Sequence, residues 1–123
     1  AGLEHLADVR FASPVPIAVD ESARTVEDVR RAVEMGAADL VVLKPSAIGG
    51  PSEAARAAAL VRSAGLDVVV TSLLEGSVGI RAAAHLASAI GATDPAPGLA
   101  TAGLLAVDIA SPCLPVNGEI RLD

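Results

Sequence analysis

Apolar residues along this chain fall into short unbroken runs separated by amphipathic stretches. Val15 to Val19, Leu40 to Leu43 and Val68 to Val70 are rich in Val and Ile with no polar alternation, and a weaker run lies around Gly98 to Ala100. Runs of this length and composition predict strands buried on both faces, as in a parallel sheet. Between them the period becomes helical. Thr25 to Met35 sets Val26, Val29 and Val33 on one face and Glu27, Arg30, Arg31 and Glu34 on the other, with Thr25 as N-cap and Gly36 as stop. Ser52 to Ser63 predicts a second helix, capped by Ser52 and ended at Gly65. Ser77 to Ile90 predicts a third, Ala-rich enough to pack closely on a sheet and ending at Gly91.

The residues that follow the strands recur at a regular distance. From Asp20 to Lys44 is 24 residues and from Lys44 to Ser72 is 28, each the length of one strand, one helix and two short loops. The chain therefore reads as a serial β/α array, and right-handed crossovers turn such an array into either an open doubly wound sheet or part of a closed barrel. Three or four units cannot close eight strands. After Leu104, the residues Pro112, Pro115, Asn117 and Gly118 predict an irregular tail with a short strand at Glu119 to Leu122.

Composition narrows the picture. The 123 residues are 52% apolar yet include no Trp or Tyr and one Phe, so a single core must be built from Ala, Val, Leu and Ile. A net charge of −6, without a basic face or stacking aromatics, argues against a nucleic-acid partner. Charged residues interrupt every apolar stretch before the roughly 18 residues that a membrane span needs, so no membrane partner is expected. The single cysteine, Cys113, cannot pair within the chain, and the N-terminus lacks the basic and apolar pattern of a secretory leader. These features predict a reducing, cytoplasmic setting.

The polar residues of interest all sit just after a strand. Asp20 and Glu21 follow the first, Lys44 the second, and Thr71 and Ser72 the third, and in parallel β/α folds the C-terminal strand ends form the ligand face. Asp20 is either an oxygen ligand for a hard cation such as Mg²⁺, with Glu21 adding negative potential, or a turn carboxylate capping the next helix. Lys44 is the only lysine among nine cationic residues. It is either a partly desolvated catalytic ammonium or a side chain whose stem packs on the strand while its head reaches water. Backbone N–H groups of the segment from Thr71 to Ser77, with the Thr71 and Ser72 hydroxyls, offer a site for a substrate carboxylate. In that segment Ser77 is alternatively a plain N-cap, and Glu75 an acid favoured at a helix start. Gly49 and Gly50 either cradle a phosphate or turn the chain into its helix. Asp39 and Asp67 precede their strands and read as solvated turn residues. His5, His85 and Cys113 have no spaced partner that would make them ligands or nucleophiles.

At this point the residues resemble a known family. Pro16-Ile17-Ala18-Val19-Asp20-Glu21-Ser22, then Val41-Val42-Leu43-Lys44-Pro45 with Gly49-Gly50, then Thr71-Ser72-Leu73-Leu74-Glu75-Gly76-Ser77-Val78-Gly79 are similar to the fifth, sixth and seventh strands of the muconate-lactonizing branch of the enolase superfamily. Within it, Pro97-Gly98-Leu99-Ala100-Thr101 resembles the eighth-strand segment of the o-succinylbenzoate synthase family.

The resemblance implies an α/β fold, a partial TIM-like (β/α) barrel comprising about strands five to eight of the superfamily's (β/α)7β barrel. Residues 1–123 then form the C-terminal portion of the catalytic barrel, with the family's fourth helix beginning at Ala1-Gly2-Leu3-Glu4. The capping domain and the first half of the barrel, with its second-strand lysine and its third- and fourth-strand metal ligands, have no counterpart here. The implied activity is a Mg²⁺-dependent hydro-lyase step of menaquinone biosynthesis, dehydration of 2-succinyl-6-hydroxy-2,4-cyclohexadiene-1-carboxylate to 2-succinylbenzoate through a metal-stabilised enediolate. Asp20 is then the metal ligand, Lys44 the catalytic lysine, and Thr71, Ser72 and Gly98 the substrate contacts. The implied partners are a small-molecule carboxylate substrate and the missing N-terminal half of the barrel, the chain alone being inactive. Racemases, epimerases and cycloisomerases of the same branch are the alternative, as is a noncatalytic half-barrel. Epimerases of this kind carry an Asp-x-Asp pair on the eighth strand, and Gly98 to Thr101 holds no acid.

Overall fold

The computed structural model describes residues 2–122. In chain order the elements are helix α1 (Leu3–Ala12), strand β1 (Ala18–Val19), helix α2 (Val26–Glu34), strand β2 (Leu40–Leu43), a short helix α3 (Pro45–Ile48), helix α4 (Pro51–Ser63), strand β3 (Asp67–Val70), helix α5 (Ser77–Ala89) and a 3-10 turn (Thr101–Leu104). The three strands form one parallel sheet in the order β1-β2-β3. Ala18 pairs with Leu40 and Leu40 with Asp67. Beyond β3, Gly98 makes a single parallel bridge with Thr71.

Strand order thus follows chain order, whereas a doubly wound sheet reverses at its switch point. The helix layer agrees, because α2 packs on α4 and α4 on α5. The architecture is α/β, an arc of a (β/α) barrel. Val29 and Ala32 of α2, Ala54, Ala57, Ala58 and Val61 of α4, and Ile80, Ala83 and Ala87 of α5 close over Val19, Val41, Leu43, Val68 and Val70. Small alanines let the helices approach the sheet, and each fully buried Leu or Val stabilises the fold by about 1.5–3 kcal/mol.

Several elements depart from the expectations. The β2 run was expected to be buried on both faces, but Val41 and Leu43 are buried while Leu40 and Val42 are half-buried, and Ala18 is exposed. Among the described residues the helix-covered face of the sheet is closed throughout, while the other face is open at Ala18, half-buried at Leu40 and Val42 and buried at Val69. The first strand shrinks to Ala18–Val19 because Pro14 and Pro16 lack the N–H groups a ladder needs. Thr25 caps α2 as expected, accepting from the Asp28 N–H at 3.0 Å. Ser52 does not cap α4: Gly50 is the N-cap and Pro51, whose missing N–H is no loss in the first turn, opens the helix. Gly49 and Gly50, at φ 105° and 113°, make the turn from α3 into α4 in a region closed to other residues, which favours the turn reading of the pair.

The weak fourth strand reduces to the Gly98 bridge, since Leu99 is buried and the chain curls into the 3-10 turn at Thr101. The expected strand at Glu119 to Leu122 is absent among the described residues. Instead Val116 and Glu119 pair across a tight turn whose Asn117 and Gly118 both have positive φ, the geometry an Asn-Gly hairpin selects.

Asp39 is a clamp, not a solvated turn residue. One carboxylate oxygen accepts from Arg10 of α1 at 2.8 Å and the other from the Ile17 N–H at 2.9 Å, while Arg10 also reaches the Gly36 carbonyl at 3.2 Å. The Arg10 hydrogen bond, with that from Ile17, holds the Asp39 carboxyl below the usual 3.8. Asp67, at the first position of β3, is exposed as expected. No helix among the described residues is long and apolar enough to cross a membrane.

Candidate active site

Each strand delivers its following residue to one edge of the sheet. Asp20 leaves β1, Lys44 leaves β2 and caps α3, and Thr71 leaves β3, where its N–H donates to the Leu43 carbonyl at 2.9 Å. Side chains alternate along a strand, so Ala18 and Asp20, Val42 and Lys44, and Val69 and Thr71 share the face away from the helices. The Lys44 ammonium reaches back and pairs with Oδ1 of Asp20. The two side chains are 21% and 37% exposed, so their attraction is less screened than that of a surface pair.

Around this pair lies a cleft of about 400 Å³ lined by Asp20, Glu21, Arg24, Val42, Lys44 and Leu73. A larger cleft of about 660 Å³ opens at the opposite edge, lined by Phe11, Val15 and Met35 with Arg10 and Asp39. It lies where the strands begin, beside Gly36 and Asp39, whereas the smaller cleft lies where β1 and β2 end, the ligand face of a parallel β/α fold, so the chemistry belongs to the smaller cleft.

Thr71 and Ser72 part company. Ser72 is buried and turned to the other face, where its hydroxyl meets Thr101 Oγ1 at 2.9 Å and the Gly98 carbonyl at 3.3 Å. Its N–H also donates to the Gly98 carbonyl, at 3.0 Å. Ser72, expected to touch a substrate, places its hydroxyl and N–H on the Gly98 segment and so away from the Thr71 side chain, because adjacent residues of an extended chain point opposite ways. Thr71 Oγ1 is buried and has no hydrogen-bond partner among the described residues, an orphan that is costly unless something pairs with it. Gly98 lies against it, where an added Cβ would come within 3.2 Å of the Thr71 methyl.

The expected carboxylate cradle in the segment from Thr71 to Ser77 is occupied by the protein itself. The Leu73 N–H donates to Glu75 Oε1 at 3.0 Å, and the Ser77 N–H to Asp108 Oδ2 at 2.8 Å. Asp108, from the tail, places its negative charge at the N-terminus of α5, where the helix dipole favours it. Hydrogen bonding from the Ser77 side chain and N–H holds the Asp108 carboxyl below 3.8. Sequence reasoning missed Asp108, since nothing local marks a tail residue that caps a helix 31 positions earlier. Ser77 is not the N-cap, which is Gly76; it is fully buried and accepts from the Cys113 N–H at 2.7 Å. Cys113 is a buried free thiol, and His5 and His85 are exposed.

An Asp20 oxygen suits a hard cation such as Mg²⁺, but Lys44 holds one of the two. No group of three Asp, Glu, His or Cys side chains comes together among the described residues. Asp20 fits as one donor, with Glu21 beside it, and the donor set is incomplete in these residues.

Comparison with known proteins matches the whole of residues 1–123 to the family described as enolase C-terminal domain-like. The chain is 46% identical over 121 residues to the o-succinylbenzoate synthase of Thermobifida fusca, covering 98% of this chain and 37% of that protein. It is 42% identical over 122 residues to the o-succinylbenzoate synthase of Mycobacterium tuberculosis H37Rv, covering 99% and 36%. The chain therefore spans a little over one third of the length of these relatives. Among solved structures, the N-succinyl Arg/Lys racemase of Bacillus cereus superposes with a TM-score of 0.88 at 25% identity, covering 98% of this chain and 32% of that one. The L-Ala-D/L-Glu epimerase of Bacillus subtilis gives 0.86 at 28% identity, covering 98% and 34%.

Proposed function

We propose, from the premise that this chain belongs to the enolase C-terminal domain-like family, that it supplies part of the catalytic barrel of an o-succinylbenzoate synthase. The observation that carries the proposal is the pairing of Lys44 with Asp20 at the C-terminal edge of a barrel arc, in a sequence so close to proteins of that name. The reaction is dehydration of 2-succinyl-6-hydroxy-2,4-cyclohexadiene-1-carboxylate, a step towards menaquinone. A proton leaves the carbon beside the carboxylate, hydroxide departs from the neighbouring carbon as water, and the ring becomes aromatic. The setting is cytoplasmic. Residues 1–123 act as the C-terminal portion of the barrel, and the capping domain, the first half of the barrel and the remaining metal ligands are supplied from outside this segment.

In this reading Lys44 carries positive charge to the place where negative charge develops as the C–H bond breaks, and a positioned ammonium there lowers the barrier. Its pairing with Asp20 orients it toward the cleft. Asp20 would hold Mg²⁺ as one of several ligands, and that ion, when bound, polarises a substrate carboxylate. The unpaired Thr71 hydroxyl and the exposed Gly98, which has no side chain, border the substrate, and Ser72 acts on it by holding Gly98 in place. The Lys44 ammonium thus grips the small-molecule substrate, with Thr71 beside it, since the N–H groups of Leu73 and Ser77 are spent on Glu75 and Asp108.

Joining this chain to the remaining N-terminal part of the Thermobifida fusca synthase and assaying formation of 2-succinylbenzoate tests the proposal. Turnover near that of the parent supports it, and a folded chimera without turnover sinks it. The second reading, racemisation of N-succinyl amino acids, is favoured by the superposition on the Bacillus cereus racemase. Exchange of the α-proton of such a substrate into D₂O, without dehydration of the synthase substrate, would select it.

A further inference from the structure

Glu75 is neither free in solvent nor merely a first-turn acid. Its Oε2 accepts from the Ser46 hydroxyl at 2.5 Å and its Oε1 from the Leu73 N–H at 3.0 Å. Ser46 lies in α3, two residues past Lys44, and Lys44 itself is the N-cap of that helix. Leu73 lines the cleft that holds Asp20 and Lys44. One carboxylate therefore ties the turn that begins at Lys44 to the loop that forms the opposite rim of the cleft. Hydrogen bonds to an ionised acceptor are short and strong, and the 2.5 Å contact is at the short end of that range.

The helix after the loop makes room for this arrangement. Gly79 stands one turn into α5, and a Cβ built there would run into the Glu75 carboxylate. Glu75 folds back over a position without a side chain, and the spacing of Glu75 to Gly79 is the sequence trace of that fold-back.

We propose that Glu75 is a positioning residue: by bridging Ser46 and the Leu73 N–H it braces the loop after β3 against the turn after Lys44, and so holds the ammonium of Lys44 in register with the cleft. This rests on the reading of Lys44 and Asp20 as the reactive pair, but its test does not depend on turnover. Lys44 is the only lysine in the chain, so growth on lysine labelled with ¹³C at Cε yields a single resonance that reports its side chain. While the ammonium is held against Asp20, the two ε protons sit in different surroundings and give separate shifts.

Three variants of the 123-residue chain break the brace by different routes. Ser46→Ala removes one donor at an exposed position, Glu75→Ala removes the carboxylate, and Gly79→Ala pushes the carboxylate aside while improving helix propensity. In each, the ε-proton shifts should collapse toward one value, and exchange of the Leu73 amide should speed up by about tenfold or more. The Ser46→Ala, Glu75→Ala double variant should go no further than Glu75→Ala alone, because both remove one device. Gly79→Ala and Ser46→Ala carry the test if Glu75→Ala fails to fold. An unchanged Lys44 signal in the folded Gly79→Ala and Ser46→Ala chains overturns the proposal. Failure of the underlying catalytic reading looks different: a completed barrel would keep its turnover without Lys44, while the Lys44 signal still responded to the brace.

Discussion

Lys44 pairs with Asp20 across 24 positions of sequence, from the end of one parallel strand to the end of its neighbour. The pairing follows from register. Ala18 is level with Leu40, so Asp20 is level with Val42 and Lys44 stands one step further along the same face. A long flexible side chain spans that step, which places a cation and an anion on one wall of a cleft whose other lining residues include Val42 and Leu73.

The first prediction concerns Asp20. In the completed barrel, Asp20→Asn keeps the size of the side chain and removes its charge, and it also releases Lys44. Mg²⁺ affinity, measured by isothermal titration, should fall by about tenfold or more. Unchanged affinity would leave Asp20 as no more than the ion-pair partner of Lys44.

Acid should loosen the fold at two identified places. Asp39 and Asp108 have carboxyls held below the ordinary value of 3.8, chiefly by the Arg10 and Ser77 hydrogen bonds. A depressed folded-state value means that the stabilisation is fully present above 3.8 and is lost as pH falls through the lower folded value. Thermal denaturation at about pH 6 and about pH 2 should show a drop in Tm, and Asp39→Asn and Asp108→Asn should each make that drop smaller. A drop of the same size in both variants would remove these carboxylates as the cause.

Burial supports a third prediction. Leu43 is fully buried between the sheet and the helix layer, so Leu43→Ala leaves a cavity and should cost about 2–5 kcal/mol in urea denaturation. The partly exposed Val42 of the same strand should tolerate Val42→Ala with a smaller loss. Equal losses would mean that the cleft face is as closed as the helix face.

Much of this arrangement was legible in the sequence because it is local. Unbroken Val and Leu runs marked β2 and β3 to within a residue, Thr25 and the 3.6 period marked α2, and the residue after each strand marked the edge where Asp20, Lys44 and Thr71 assemble. What stayed hidden was decided by contacts between distant segments. Asp39 reads as a turn residue until Arg10 and Ile17 are brought to it, and Asp108 reads as a tail residue until it reaches Ser77. Ser72 follows a strand just as Thr71 does, but neighbouring residues of a strand face opposite ways, so the Ser72 hydroxyl lies against Thr101 and Gly98 and Thr71 alone shares a face with Lys44. Pro14 and Pro16 are plain in the sequence, and their missing N–H groups explain why the first strand is so short.

The last prediction separates burial from chemistry at Lys44. If its stem packs on the strand and its head merely reaches water, Lys44→Met keeps the apolar stem, removes a half-buried charge and leaves activity intact. If the ammonium stabilises developing negative charge or carries the proton, the same change leaves the fold in place and lowers turnover of the completed barrel by about a hundredfold or more. Lys44→Arg then divides the chemical role further, because guanidinium keeps the charge but is bulkier and does not give up its proton at neutral pH. Arginine should fail as well. Steady-state formation of 2-succinylbenzoate is the measurement, with thermal denaturation as the control for folding. Loss of activity in both variants at unchanged Tm is the expected result, and parental turnover in a folded Lys44→Met protein would take Lys44 out of the chemistry.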